Sequence, residues 1–397
     1  MLQESESSVA AQVLSRKAQK LCDLLGLQTS VAIKGQINLG TGTPDFPTPA
    51  HIIEAGKGAL DEGYTSYTPW IGIPQLREAI AAKLQTDNDL RVDPESEVLV
   101  TTGTQEALMV TMLSLIDPGE EVLIPSPYYG QYEQDLILAG GRLVPVPTFE
   151  QDDFEVDPRE MEKRITSKTK AILLVSPSNP TANVLYRETL DGVAEIAEKY
   201  NLIVISDELY EKYVYEDYKH YSIGSFPGMW ERTITINGFS KCYSMTGWRV
   251  GYIAAPARFI SGMLPIKHAM TICAPAMSQW AALAALTGPQ DWWREVITEY
   301  GKRRRFWMES LDEMGLTYGV PRGAYYIFVS ITSTGLSSEQ FVAALREEAR
   351  VVVGSGAHYG EEGEGYVRVS LAVPFSLLEE GLDRMKKVVR VFQARRK

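Results

Sequence analysis

Short runs of aliphatic and β-branched residues recur along the chain, separated by amphipathic stretches. EVLVT (97–101), EVLIP (121–125), AILLV (171–175), LIVIS (202–206), TITIN (233–237) and VGYIA (250–254) are short and dominated by aliphatic and β-branched residues. Such runs predict strands buried on both faces. Between them, QLREAIAAKLQ (75–85), QEALMVTMLSLI (105–116), RETLDGVAEIAEKY (187–200) and SQWAALAALTG (278–288) carry helical spacing, as do residues 10–27. Strands alternating with helices predict an α/β fold, a mostly parallel sheet covered by helices on both sides. From about residue 290 the pattern changes. WWREVITEYGKRRRFWMESLDEMG (292–315) reads as one long helix, and GAYYIFVSI (323–331), ARVVVGSG (349–356) and YVRVSL (366–371) read as strands. SSEQFVAALREEA (337–349) and LLEEGLDRMKKVVRVFQARR (377–396) read as helices. The expected division is a large unit over 45–290 and a smaller α+β unit made of 1–44 and 291–397.

The chain has 397 residues and a net charge of -12. The acidic balance argues against nucleic acid or an anionic membrane as partner. The run Arg303, Arg304, Arg305 is the one basic cluster and is expected on a solvated helix face. Three cysteines without a CxxC spacing fit a reducing, cytoplasmic setting, and Cys242 reads as packing. The four histidines show no metal-ligand spacing, so no metal is expected. No apolar run has the length of a membrane span, and the first residues lack the apolar core of a secretory leader.

Four features lie where the predicted strands end, the edge at which open α/β sheets bind ligands. TTGTQEAL (101–108) turns from strand to helix through Gly103 and Thr104, leaving backbone N–H groups for an anion such as phosphate. SPSNPTANV (176–184) places Asn179 after one strand, and SDELY (206–210) places Asp207 and Tyr210 after the next. NGFSKCYSMTGWRVGY (237–252) brings Ser240, Lys241 and Arg249 after a third. Taken singly, each reads equally as a helix cap or a turn, with Glu208 on the solvated side of Asp207. A lysine at the end of a buried strand must be solvated, paired or chemically used.

Together these motifs resemble the class I/II pyridoxal-phosphate-dependent aminotransferases of fold type I, in particular the aspartate/aromatic branch. The resemblance runs from LGTGTPDF (39–46) to the closing helix. It implies a large domain with a seven-stranded-type sheet and pyridoxal 5'-phosphate as cofactor. It also implies transfer of the amino group of an aromatic, large neutral or aspartate-type L-amino acid to a 2-oxo acid, 2-oxoglutarate among them. By this resemblance Lys241 forms the Schiff base and then moves the proton, in a ping-pong reaction. Asp207 pairs with the pyridine nitrogen, Tyr210 and Asn179 reach the phenolic oxygen, and Tyr129 stacks on the ring. Gly103, Thr104, Gln105, Ser240 and Arg249 hold the phosphate. Tyr67 reaches the phosphate of the neighbouring subunit, which implies a homodimer with shared active sites. Arg368 clamps the substrate α-carboxylate, with Gly42 and Asn179 beside it.

The sequence departs from the family pattern at Gly238, where a serine is frequent, at Ala182, where the usual motif ends in glycine, and over VVVGSGAHYG (351–360). These departures keep open a lyase or cyclase working with the same cofactor, since Lys241 and Asp207 serve both chemistries. Trp70, Tyr64 and Tyr129 are expected to line an aromatic-tolerant pocket, and His358 is either at the substrate entrance or a surface residue.

Overall fold

The computed structural model describes residues 14–25 and 35–396. The helix expected over 10–27 is seen as α1 (Arg16–Leu25), residues 14 and 15 precede it outside the helix, and 10–13 and 26–27 lie outside the described residues. The strands are β1 (Ile37–Asn38), β2 (Val98–Thr101), β3 (Glu121–Ser126), β4 (Arg142–Pro147), β5 (Thr169–Val175), β6 (Ile203–Asp207), β7 (Thr233–Gly238), β8 (Gly251–Ala254), β9 (Tyr326–Ser330), β10 (Val351–Val352), β11 (Gly354–Ser355) and β12 (Tyr366–Ser370).

A seven-stranded sheet runs in the order β2-β8-β7-β6-β5-β3-β4. Its pairs are parallel except that β8 is antiparallel to both β2 and β7. Alternate residues of one strand face opposite layers. Ala171, Leu173 and Val175 pack with α4 (Thr104–Leu115), α5 (Gln131–Ala139) and α8 (Ala257–Thr271), while Ile172 and Leu174 pack with α6 (Pro158–Glu162) and α7 (Arg187–Lys199). The unbroken apolar runs in the sequence follow from this double coverage.

The apolar pattern does not signal β4, because RLVPVP carries two prolines. This strand closes the sheet at one edge, where a missing N–H costs no ladder bond. Nor does the pattern signal the helices α2 (Ala50–Asp61) and α8. The first contains two glycines and the second Pro265. Between them in sequence come α3 (Pro74–Asp87) and the helices already named, and α9 (Ala276–Thr287) packs on α2 and α3.

A second sheet, β11-β12-β9, is antiparallel and three-stranded, and β1 pairs with β10 in parallel. The long helix is α10 (Asp291–Met314). It corrects the reading of the arginine run. Arg303 and Arg304 are buried, and Arg305 alone of the three faces solvent. Arg303 binds Asp45 at 2.9 Å, Glu299 at 3.1 Å and the carbonyls of Leu371 and Val373, and Arg304 binds Glu216 at 2.9 Å. Arg303 and Asp45 thus fasten the loop after β1 to α10, a pairing of residues 258 positions apart. No described helix is long and apolar enough to cross a membrane.

Candidate active site

The strand ends gather at one edge. In the sheet register Val175 pairs with Asp207, Asp207 with Ile236, Gly238 with Gly251, and Gly251 with Thr101. Because β8 runs opposite to β7, its first residue lies where β7 ends. The connection 239–250 therefore presents both Lys241 and Arg249 at this edge. A cavity of about 390 Å³ opens there. It is lined by Thr104, Gln105, Tyr129, Asn179, Asp207, Tyr210, Ser240, Lys241 and Arg249 from the large sheet's loops, by Gly42 from the loop after β1, and by Arg368 from β12.

The Lys241 ammonium donates to the carbonyl of Gly42 at 2.5 Å, and Gly42 accepts a second bond from Tyr325 Oη at 2.7 Å. Burial lowers the pKa of Lys241, and the nearby guanidiniums of Arg368 and Arg249 push it the same way. Asp207 is buried. Its Oδ2 accepts from Tyr132 Oη at 2.9 Å and its Oδ1 from the N–H of Leu209 at 3.2 Å. Burial raises its pKa to about 6, against the opposing effect of those two donors. Its neighbour Glu208 is not on a solvated side. It is fully buried and bonded to Ser206, Ser222, Asn88 and His220, which ties the β6 end to the residue that follows α3.

Gly103 begins α4 with φ +78° and no side-chain cap, so the first N–H groups of the helix are left to the cavity. A Cβ here would collide with the Arg249 guanidinium. Arg249 itself donates to the Thr246 carbonyl at 2.8 Å. The Gln105 side chain donates to the Asp135 carboxylate at 3.0 Å and 3.1 Å. At Gly238 a Cβ would sit 3.0 Å from the Thr104 methyl and 3.1 Å from Gly251 Cα. A serine here would be tightly packed against Thr104, which itself lines the cavity.

Arg368 is buried and donates to Asn179 Oδ1 and the Gly40 carbonyl, both at 2.8 Å, while its Nε has no partner. Ala182 adopts φ +59°, the turn a glycine takes readily, and Asn179 still reaches Arg368. Among the described residues, the hydrogen bonds of Lys241, Arg249 and Arg368 go to neutral oxygens. Three cations thus face one carboxylate, Asp207, and the site is built to receive anions.

Not every expected aromatic lines the cavity of its own chain. Tyr67, expected to reach the site of a neighbouring subunit, is 79% exposed and outside this chain's own cavity. Trp70 and Tyr64 do not line it either. They pack on His268 at 3.9 Å and on Trp280 at 4.7 Å between ring centroids, so Tyr129 alone of the three expected aromatics faces the cavity within one chain. His358 is a surface residue paired with Glu339 at 3.3 Å. Cys242 is buried packing, with its thiol pushed up to about 12 by burial. Tyr132, Thr246 and Tyr326 also line the site and are not among the expected residues. Thr246 lies within the motif 237–252, and Tyr132 stands three residues after Tyr129, whose carbonyl accepts from its N–H at 3.0 Å. Tyr326 meets its partner Tyr210 across 116 positions, which no local pattern signals.

The family model for aminotransferase class I and II matches residues 34–385. The chain belongs to the class I and II aminotransferases. It is 46% identical to an aspartate aminotransferase of Pyrococcus abyssi, over 91% of this chain and 93% of that one. It is 44% identical to aromatic-amino-acid aminotransferase 2 of Thermococcus litoralis, over 94% and 95%. The solved structure of an aromatic aminotransferase from Pyrococcus horikoshii superposes with a TM-score of 0.89 at 45% identity, covering 94% of this chain and 99% of that one. This aminotransferase is a fold type I, pyridoxal-phosphate-dependent enzyme that transfers amino groups. The lyase or cyclase reading is not favoured by these relatives. The cofactor fits what the cavity offers: a capless helix start with Arg249 for a phosphate, an amine at Lys241, and a buried carboxylate with no cation of its own.

Proposed function

We propose that Lys241, Asp207, Tyr210 and Arg368 carry the amino-group transfer, with Arg249, Ser240, Gly103, Thr104 and Gln105 holding the cofactor phosphate. The supporting observation is the meeting of one amine, one buried carboxylate and two guanidiniums without acidic partners in a single cavity. When bound, pyridoxal phosphate supplies an electrophilic carbon for amines and a ring that accepts electrons from the substrate's α-carbon. Arg368 takes the α-carboxylate of an L-amino acid in its planar fork and fixes the α-carbon near Lys241. With its pKa lowered, the Lys241 amine removes the α-proton and returns a proton. Asp207 would hold positive charge at the ring nitrogen, Asn179 and Tyr210 would meet the ring oxygen, and Tyr129 would cover the ring. Gly42 contributes its carbonyl, which holds the Lys241 amine on the substrate side.

The substrates in this reading are an aspartate-type or aromatic L-amino acid and 2-oxoglutarate. The aspartate and aromatic-amino-acid aminotransferases that this chain resembles support the reading, together with Tyr129, Leu108 and Val175 lining the cavity beside the polar Thr43 and Asn179. Aspartate, tyrosine or phenylalanine added to the purified holoenzyme should bleach the cofactor's visible band, and 2-oxoglutarate should restore it. A band unmoved by any L-amino acid with a free α-carboxylate would overturn this assignment.

The same reading includes a homodimer, a division into units 45–290 and 1–44 with 291–397, and a cytoplasmic setting consistent with three free cysteines. A second opening of about 560 Å³ shares Thr246 and Arg249 with the active-site cavity and is lined by Ile53, Leu60, Trp248 and Met277. Exposed Tyr67, Trp70 and Met270 add to the apolar surface of this chain. Light scattering should give twice the 44.2 kDa chain mass. A monomer active with its full cofactor complement would refute the shared site.

A further inference from the structure

We propose that Tyr326 is a positioning residue that couples the phenol of Tyr210 to the carboxylate fork of Arg368. This rests on the aminotransferase reading and adds to it a residue that sets two of its working groups at once. Tyr326 is 1% exposed, opens β9 and lines the cavity. Its hydroxyl lies 2.9 Å from that of Tyr210. The Arg368 guanidinium lies 4.4 Å from the centroid of its ring. The strand register makes this possible. On β12 and β9, Arg368 pairs with Phe328 and Ser370 with Tyr326, so the two side chains rise from neighbouring strands of the small sheet.

Each contact has its own effect. Two hydroxyls that share one hydrogen bond leave one hydrogen over. With Tyr326 donating, Tyr210 keeps its hydrogen for the cavity, and donation to it makes Tyr210 the stronger donor. A fork that must take a bidentate carboxylate needs its plane fixed before the substrate arrives. Asn179 and Gly40 hold the edge of Arg368, and the ring of Tyr326 supports its face, out of water where such contacts are strongest. Tyr325, its neighbour in sequence, supports the Gly42 carbonyl that holds Lys241. The start of β9 thereby braces the amine, the phenol and the fork together.

Two substitutions separate the contributions. Y326F keeps the ring and removes the hydroxyl. It should raise the pH midpoint of the cofactor's visible band by about half a unit to one unit, the size of one lost hydrogen bond, and leave KM for the amino acid unchanged. Y326L lacks both the hydroxyl and the face under Arg368 and should raise that KM about tenfold over Y326F. An unmoved midpoint in Y326F, or an unchanged KM in Y326L, overturns the proposal. So does a lowered melting temperature with both readouts at their wild-type values, since that is a packing role alone. The band midpoint is read without turnover, so it tests Tyr326 even if the wild-type enzyme were to fail the amino-acid assay.

Discussion

Replacing Lys241 with alanine is expected to lower turnover by about 10⁴-fold or more, the upper end of what one positioned acid–base group supplies. The cofactor should remain bound, because the helix start at Gly103 and the Arg249 guanidinium are untouched. Both parts follow from the geometry. Among the described residues Lys241 is the one amine lining the cavity. It is held 2.5 Å from the Gly42 carbonyl, and burial among cations disfavours its charged form, which leaves the amine free to accept a proton. Rapid-mixing measurement of a single half-reaction, with equilibrium dialysis of the cofactor beside it, checks the two claims separately. Added small primary amines should recover part of the rate, since the cavity then has room for them. A variant that keeps more than about one hundredth of wild-type turnover would place the proton transfer on another group.

The second large effect concerns Asp207 and has opposite signs in the two forms of the protein. Without cofactor, the carboxylate is buried with only Tyr132 and Leu209 as donors, and its pKa rises to about 6. A folded value above the ordinary one means that the fold prefers the neutral acid. The stability Asp207 contributes is then full below about pH 4 and is lost as the pH rises through about 6. The carboxamide of D207N cannot ionise. The cofactor-free variant should therefore be more stable than wild type at about pH 8, by up to roughly 3 kcal/mol, with the advantage gone at about pH 4. With cofactor bound the order reverses. On the proposed reading the wild-type carboxylate would gain a cationic partner and the variant would offer that cation no counter-charge, so D207N should lose cofactor affinity and about 10²–10³ in turnover. Melting curves of both forms at the two pH values decide this. A cofactor-free variant that is less stable at the higher pH would make Asp207 a structural acceptor for Tyr132.

The parts of this site visible in the sequence are those in which one short segment carries both an element and its chemistry. Asp207 ends a strand whose first residues are Ile203, Val204 and Ile205, and Lys241 follows the β-branched run TITI, so strand pattern and reactive group point to the same place. What could not be read depends on partners far along the chain. Arg303 and Arg304 look like a charged helix face until Asp45 and Glu216 are folded against them. Tyr326 reads as one more strand aromatic until Tyr210 and Arg368 reach it. The strand β4 is hidden by prolines that only an edge tolerates. Gly238 looks like a missing phosphate ligand in the linear motif. In the fold a Cβ there would press on the Thr104 methyl.

The one strand that runs against the others gives the cofactor site a built-in gauge. In a wholly parallel sheet, two strand ends at the same edge belong to separate segments joined by long crossovers, and their side chains can drift apart as the layers breathe. Here β8 returns beside β7, and a single short connection carries both Lys241 and Arg249. Twelve residues, 239–250, thus tie the amine to the guanidinium along the chain. On the proposed reading, a ligand that must reach both should be sensitive to the separation of its aldehyde and phosphate.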